Sequence, residues 1–367
     1  MFDTMSINRI ITKRKFDKII KIHQCQSRKT SKGRTIYKTR KLYKHGFDEI
    51  TLSTLDLGNG DPPLHYLTIR IRFASVIFDV SDLRVVSYQD LIDNEFEKKI
   101  NDMIRKYLWL DYNFDEFQTK RLDCALDYDP EEGIKPCHLI YLFNKSRGIR
   151  RGKFRKLRKQ GSLYIKSRAK RQRIRVNCYD KHDQILKKVA SGKAIPEINM
   201  RQIENKCRLE IQCLSAKISQ LMDEFNIKSR NPMEFLTPNF ALKIIEKYLS
   251  GVIGREDFYS MKYAKQKIIS AKGIMPDMKK KLITTLILIK DSRDMDSAKK
   301  SFTSKGRVIP YYKTDERFHG CDSTFDAYIK QIRALGINPV VVPRNWHIDH
   351  IDNPVRVIFK DEKTLAS

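Results

Sequence analysis

Arg173-Ile174-Arg175-Val176-Asn177-Cys178-Tyr179-Asp180-Lys181 alternates between apolar and polar side chains, the period-two pattern of a strand with one dry face. Ile174, Val176 and Cys178 point one way; Arg173, Arg175, Asn177 and Tyr179 point the other. Two further segments repeat the design. In Arg121-Leu122-Asp123-Cys124-Ala125-Leu126-Asp127 the apolar set is Leu122, Cys124 and Leu126, leaving Arg121, Asp123, Ala125 and Asp127 on the opposite side. In Cys207-Arg208-Leu209-Glu210-Ile211-Gln212-Cys213 the outward set is Arg208, Glu210 and Gln212. Half-exposed strands commonly carry charge on the wet side for solubility alone. Here carboxylates and arginines interleave with a tyrosine. If the three strands share one sheet, their polar faces form one floor.

Those residue types suit phosphodiester transfer, which needs charge stabilised on the non-bridging oxygens and a nucleophile in line. Asp123 and Glu210, with Asp127 as a further candidate, are the expected ligands of a hard divalent cation, Mg²⁺ or Mn²⁺. Tyr179 is the expected nucleophile. A free phenol has a pKa of about 10 and needs nearby cations to favour the phenolate; Lys181, Arg175 and the metal are the expected source. The chemistry implied is cutting and rejoining DNA through a phosphotyrosine bond.

Composition fits such a partner. Lys+Arg number 73 against Asp+Glu 44 in 367 residues, a net charge of +29, and the pI is about 9.8. Such a balance calls for a polyanion, with nucleic acid ahead of an anionic membrane surface. At 41% hydrophobic and 10% aromatic the chain can build a real core. The densest basic stretch, residues 145–175, contains no acid. Arg150, Arg151, Lys153, Arg155, Lys156, Arg158, Lys166, Arg168, Arg173 and Arg175 are expected to follow a phosphate backbone there, joined by Arg208. Tyr164 is placed to stack on a base.

The seven cysteines never fall in C-x-x-C spacing, so neither a zinc finger nor a disulfide framework fits. Cys124, Cys178, Cys207 and Cys213 read as small buried thiols of a reducing cytosol. Met1 to Lys15 is too charged for a signal peptide, and Leu282 to Ile289 is far shorter than the ~20 residues of a membrane span. A soluble cytoplasmic protein without a membrane partner is expected. No His-hydrophobic-His metal motif occurs; His347-Ile348-Asp349-His350 comes nearest and reads as a polar turn. The adjacent pair Tyr311-Tyr312 would face opposite ways on a strand.

The expected fold class is α+β, an antiparallel sheet with helices on one face followed by a helical region. Four regions are anticipated. Residues 1–63 form a basic N-terminal segment, either a DNA-contacting arm or irregular β, closed by the breaker run 56–63. Residues 64–225 form the catalytic domain, with one helix over Asp90–Leu108. Residues 226–335 are helical and suited to duplex recognition. Residues 336–367 form an extended tail.

RLDCALD (121–127), SLYIKS (162–167), RVNCYDK (175–181) and RLEIQ (208–212) occur in an order that resembles the rolling-circle replication initiators of phages and plasmids. The pattern is similar to the gene II protein group of filamentous phages and to the trans-acting initiators of small staphylococcal plasmids. It covers about residues 1–225, and GINPVVVP (336–343) is also similar. The resemblance implies a relaxase-like, ferredoxin-like core, with Tyr179 as the nicking tyrosine of a Y-x-K motif. Asp123 and Glu210 would lie near the metal and Lys181 would be an active-site cation. It also implies nicking of a double-stranded origin, attachment to the 5′ phosphate of single-stranded DNA, a free 3′-OH for a host polymerase, a host helicase and a homodimer. Lys166 departs from the S-x-Y-x-G pattern of plasmid initiators. A mobilisation relaxase shares this chemistry; a non-catalytic DNA-binding regulator of copy number is the reading from another class.

Overall fold

The computed structural model describes the chain except residues 31–33, 59, 79–82, 147–153, 160–161, 168–173, 191–199, 305–317 and 360–367, and the side chains of 154–159 and 167. The chain divides into two compact units, one built from Met1–Asp129 and Lys166–Ile245, the other from Pro130–Ile165 and Glu246–Ser367. Among the described residues no helix is long and apolar enough to cross a membrane.

The first unit is an α+β fold around an antiparallel sheet. Its strands are β1 (Phe2–Ile11), β2 (Gln26–Lys29), β3 (Thr35–Thr39), β4 (Phe47–Leu55), β5 (Leu64–Arg72), β6 (Gln118–Tyr128), β9 (Ile174–Asp180) and β10 (Cys207–Leu214); β7 (Phe154–Lys159) and most of β8 (Ser162–Ser167) fall in the Pro130–Ile165 segment of the second unit. Across the sheet they run β2-β3-β4-β5-β1-β6-β10-β9. Helices α1 (Lys13–His23) and α4 (Phe96–Leu108) follow β1 and β5, with α2 (Phe73–Ile77) and α3 (Tyr88–Asp93) leading into α4. The succession β1-α1-β4-β5-α4-β6, in spatial order β4-β5-β1-β6, is the ferredoxin-like βαββαβ arrangement. It is complete within residues 2–128, and β2–β3 is an addition at its edge.

The basic N-terminal segment is therefore no separate arm. Leu67, Ile69 and Ile71 of β5 and Ile50 and Leu52 of β4 are buried, as alternation requires of a sheet covered on one face. Phe16 and Ile19 of α1 and Phe96, Ile100 and Ile104 of α4 supply the apolar stripes of the covering helices. Phe2, Phe73, Phe96 and Phe114 form a chain of ring contacts, 5.9, 5.2 and 5.5 Å between successive centroids. The single helix expected over 90–108 is two, because Glu95 takes a left-handed conformation, φ 47°, which a right-handed helix cannot continue through. Cys124, Cys178, Cys207 and Cys213 are buried on the apolar face, as expected.

Gly46 joins the turn Tyr43–His45 to β4 at φ +86°, and an added Cβ would lie 2.6 Å from Val76 Cγ2. Gly46→Ala combines a left-handed backbone with a core clash. A destabilisation of about 2–4 kcal/mol is expected in urea unfolding monitored by circular dichroism.

In the second unit α9 (Met261–Ser270), α10 (Pro276–Asp291) and α12 (Asp322–Ala334) surround a core of Ala264, Ile268, Leu282, Leu286 and Ile332. Ile337 and Val341 join that core, and Asn338 and Asn353 are buried, donating to the carbonyls of Ile253 and Glu256. Residues 336–359 are thus packed chain, where an extended tail was expected; the prolines there set short bridges and turns. α11 (Met295–Thr303) lies inside the expected helical region and buries only Met295, Ala298 and Phe302.

Candidate active site

The three alternating strands are neighbours. Along β6-β10-β9, Asp127 lies opposite Arg208, and Arg208 opposite Tyr179. The next row is Ala125, Glu210, Asn177, and the next Asp123, Gln212, Arg175. All nine project from the same face, so the polar floor expected from sequence exists.

β1 adds an acid that alternation does not reveal. Phe2 pairs with Cys124 and Thr4 with Asp123, which leaves Asp3 as the extra residue of a β-bulge. A bulge re-aims a side chain, and Asp3 joins Thr4 on the polar face. Oxygens of Asp3, Asp123 and Glu210 all lie within 4.8 Å of one another. Asp123 and Glu210 are buried. The Tyr179 hydroxyl donates to Glu210 Oε2 at 3.3 Å.

The trio and Tyr179 line a cavity of about 250 Å³ together with Arg70, Arg72, Arg121, Lys181 and Lys188. Helix α6 (Lys181–Ala190) begins two residues after Tyr179, and Asp180 Oδ1 accepts from the Asp183 N–H at 3.1 Å to cap it. Lys181, Gln184 and Lys188 fall on one helical face and turn into the cavity.

The electrostatics are those of a crowded acid cluster. Burial, then Asp123 and Asp3, push the Glu210 carboxyl up to about 7. Burial also raises Asp123, against the pull of Arg121, whose Nε and Nη2 donate to it at 2.7 and 2.6 Å. Burial works against a charge on Asp3, but Arg208, Lys181 and Arg72 outweigh it and hold that carboxyl below its ordinary range. Burial and then Arg208 bring Lys181 down to about 7. The Tyr179 phenol is raised well above 10, by burial and then by the facing Glu210. Sequence suggested a phenol lowered by cations; burial, and then the carboxylate beside it, reverse that.

Asp127 and Arg208 form an ion pair beside the trio. Arg208 is 1% exposed. Its Nε and Nη2 donate to Asp127 at 2.6 Å each, Nη1 to Asp3 at 2.9 Å, and Nη2 also to the Leu83 carbonyl at 2.6 Å. A guanidinium so enclosed is not available to a DNA backbone, and Asp127 is committed to an ion pair; Arg208 instead positions Asp3.

Arg175 is half-buried on the polar floor, and Lys166 is half-buried on β8. Arg150, Arg151, Lys153, Arg168, Arg173 and Tyr311-Tyr312 lie outside the described residues. Arg155, Lys156 and Arg158 are on β7, whose side chains are likewise outside them. In the second unit His350 lies 3.5 and 3.4 Å from Asp257 and Asp352, with Arg356 bound to both acids.

The acid trio fits a hard divalent cation. It offers only oxygen donors; Arg121 donates to Asp123 and Arg208 to Asp3. Buried Oδ1 of Asn177 and Oε1 of Gln212, both flanking Glu210 on the floor, have no partner among the described residues, as groups facing a hydrated ion would.

No protein-family model matches the chain, and no curated protein matches it. Among solved structures it is similar to a rolling circle replication initiator protein from Geobacillus stearothermophilus, at 15% identity and a TM-score of 0.26, over 62% of this chain and 79% of that one. It is also similar to DynU16, a putative protein in the dynemicin biosynthetic locus, at 10% identity and a TM-score of 0.19, over 67% and 98%. Likeness at those TM-scores carries no argument about function.

Proposed function

We propose that this chain is a replication initiator that nicks and religates DNA at a rolling-circle origin through a 5′-phosphotyrosine intermediate, with Mg²⁺ or Mn²⁺ held by Asp3, Asp123 and Glu210. The observation that carries the reading is the convergence of three carboxylates within 4.8 Å and a phenol 3.3 Å from one of them, in one cation-walled cavity. A cation bound there supplies neutralisation of the charge that develops on the non-bridging oxygens.

The residues divide the remaining work. Tyr179 Oη attacks phosphorus, and the phosphorus–O3′ bond breaks. The phenol proton passes to neutral Lys181, which lines the same cavity, because Glu210 cannot hold both the cation and a proton, and the departing 3′ oxygen takes up one proton. Lys181, brought to about 7, exchanges protons readily near neutrality and is placed to serve that oxygen. Arg72, Arg121 and Lys188 face the phosphate from the cavity wall. Closure is the reverse, with the 3′-OH attacking the phosphotyrosine.

The test is incubation with supercoiled DNA carrying the cognate element's origin, with Mg²⁺ or Mn²⁺. Nicked circles and an SDS-resistant protein–DNA adduct, its tryptic peptide containing Tyr179, are expected. An adduct on another residue, or no adduct with either metal, overturns the reading.

Metal binding should be pH-dependent. Below about pH 7 Glu210 is protonated, so an entering cation must displace one proton. Mn²⁺ affinity measured by calorimetry should fall about tenfold per pH unit below 7 and level off above it. Without metal the sign for stability is opposite. Between the ordinary carboxyl value of 4.5 and about 7 the native state holds a proton that the unfolded state has released, so this group makes stability fall as pH rises through that window. Asp3→Asn should weaken Mn²⁺ binding at least about tenfold.

A further inference from the structure

Between Asp17 and Asp48 the chain carries ten lysines and arginines and no acid. This run includes the whole β2–β3 ribbon that the βαββαβ core does not need. Gln26 pairs with Lys38, Ser27 with Tyr37, Arg28 with Ile36 and Lys29 with Thr35, and the Thr30 N–H donates to the Arg34 carbonyl at 2.8 Å. Every residue of β2 is exposed, as is Arg34. A cationic edge strand discourages edge-to-edge aggregation, but one or two lysines suffice for that.

The ribbon's position adds meaning to its charge. Register carries Arg28 opposite Ile36, Ile36 opposite Ser53, Ser53 opposite Tyr66; alongside, Lys38, Thr51 and Thr68 form the next row. Thr68, Arg70 and Arg72 alternate onto one side of β5, and Thr4 of the catalytic floor lies opposite Arg72. Arg28 and Lys38 therefore project from the face that holds the acid trio. From β2 to β6 there are five strand steps. At about 4.8 Å each this places the ribbon about 24 Å from Asp123, roughly seven base pairs of duplex.

We propose that the β2–β3 ribbon is a docking surface for duplex DNA, gripping the backbone about seven base pairs from the phosphate held in the cavity. The partner follows from charge complementarity: a two-stranded β-ribbon fits the width of a duplex groove, and its arginines and lysines match the phosphates. The position of the phosphate rests on the nicking reading; the duplex-binding role of the ribbon does not. It gives the DNA contact that sequence offered for residues 1–63 to a paired ribbon of the sheet edge, beside the duplex recognition suggested for the helices of residues 226–335.

The test uses the full chain and a fluorescent mixed-sequence duplex oligonucleotide, titrated at several KCl concentrations. Arg28→Ala, Lys29→Ala and Arg34→Ala combined should weaken binding and flatten the slope of log K against log salt by about one for each phosphate no longer neutralised. The melting curve by circular dichroism should be unchanged. Arg28→Lys and Arg34→Lys with Lys29 intact should retain the wild-type slope. A triple variant with wild-type affinity and slope overturns the proposal. So does one that binds duplex normally but loses attachment to phosphatidylserine vesicles, which would assign the ribbon to a membrane surface. Because binding is read without cleavage, a protein that nicks yet binds duplex independently of the ribbon removes this inference alone. One whose duplex binding needs the ribbon but which forms no adduct removes the nicking reading alone.

Discussion

Tyr179→Phe is expected to abolish adduct formation and to reduce nicking of supercoiled DNA by at least about 10⁴-fold, the scale on which removal of a covalent nucleophile is felt when no other group substitutes for it. The substitution removes one oxygen. The ring keeps its place at the end of β9 beside Arg208 on β10, and the side chain gives up only its long hydrogen bond to Glu210. Duplex affinity and Mn²⁺ binding should therefore stay within about twofold of wild type. Removing a phenol that donates to a carboxylate leaves Glu210 less solvated, and its pKa should rise. A Phe variant that still nicks would place the nucleophile elsewhere.

The second large effect should be on stability. Arg208 is 1% exposed and holds two acids and a carbonyl. Arg208→Met leaves Asp127 and Asp3 facing each other across an apolar side chain. Breaking a buried pair by deleting one partner costs about 3–5 kcal/mol, because the remaining charge keeps its desolvation penalty without its compensation. The melting temperature should drop by about 10 °C. Arg208→Lys should recover little, since an ammonium cannot bridge both oxygens of Asp127 and also reach Asp3. Lowering the pH should narrow the deficit, because the orphaned acids can then take up protons. If Arg208→Met melts like the wild type, the network contributes nothing to the fold.

The parts of this architecture legible in sequence are those governed by simple periodicity. β6, β9 and β10 were readable because each places its apolar residues two apart, and register then forced Asp123, Glu210 and Tyr179 onto one floor. Asp3 was not readable. Bulges break the two-residue period, and nothing in Phe2-Asp3-Thr4-Met5 distinguishes a bulged acid from one facing away. The N-terminal strands were obscured by composition: β2 has no buried residue, so it gives no hydrophobic alternation to detect. Arg208 was misjudged for a different reason. An arginine on a strand's polar face looks solvent-directed until Asp3, Asp127 and Leu83, three segments distant in sequence, close around it.

The division of the acids among β1, β6 and β10 has a further consequence for synthesis. Asp3 and Asp123 leave the ribosome long before Glu210, and residues 2–128 already complete a βαββαβ module. A nascent chain halted between β6 and β10 holds every strand of that module while lacking both Glu210 and the buried Arg208. Under the proposed nicking reading such a chain could not complete the cation site, so premature termination products would bind DNA without cutting it.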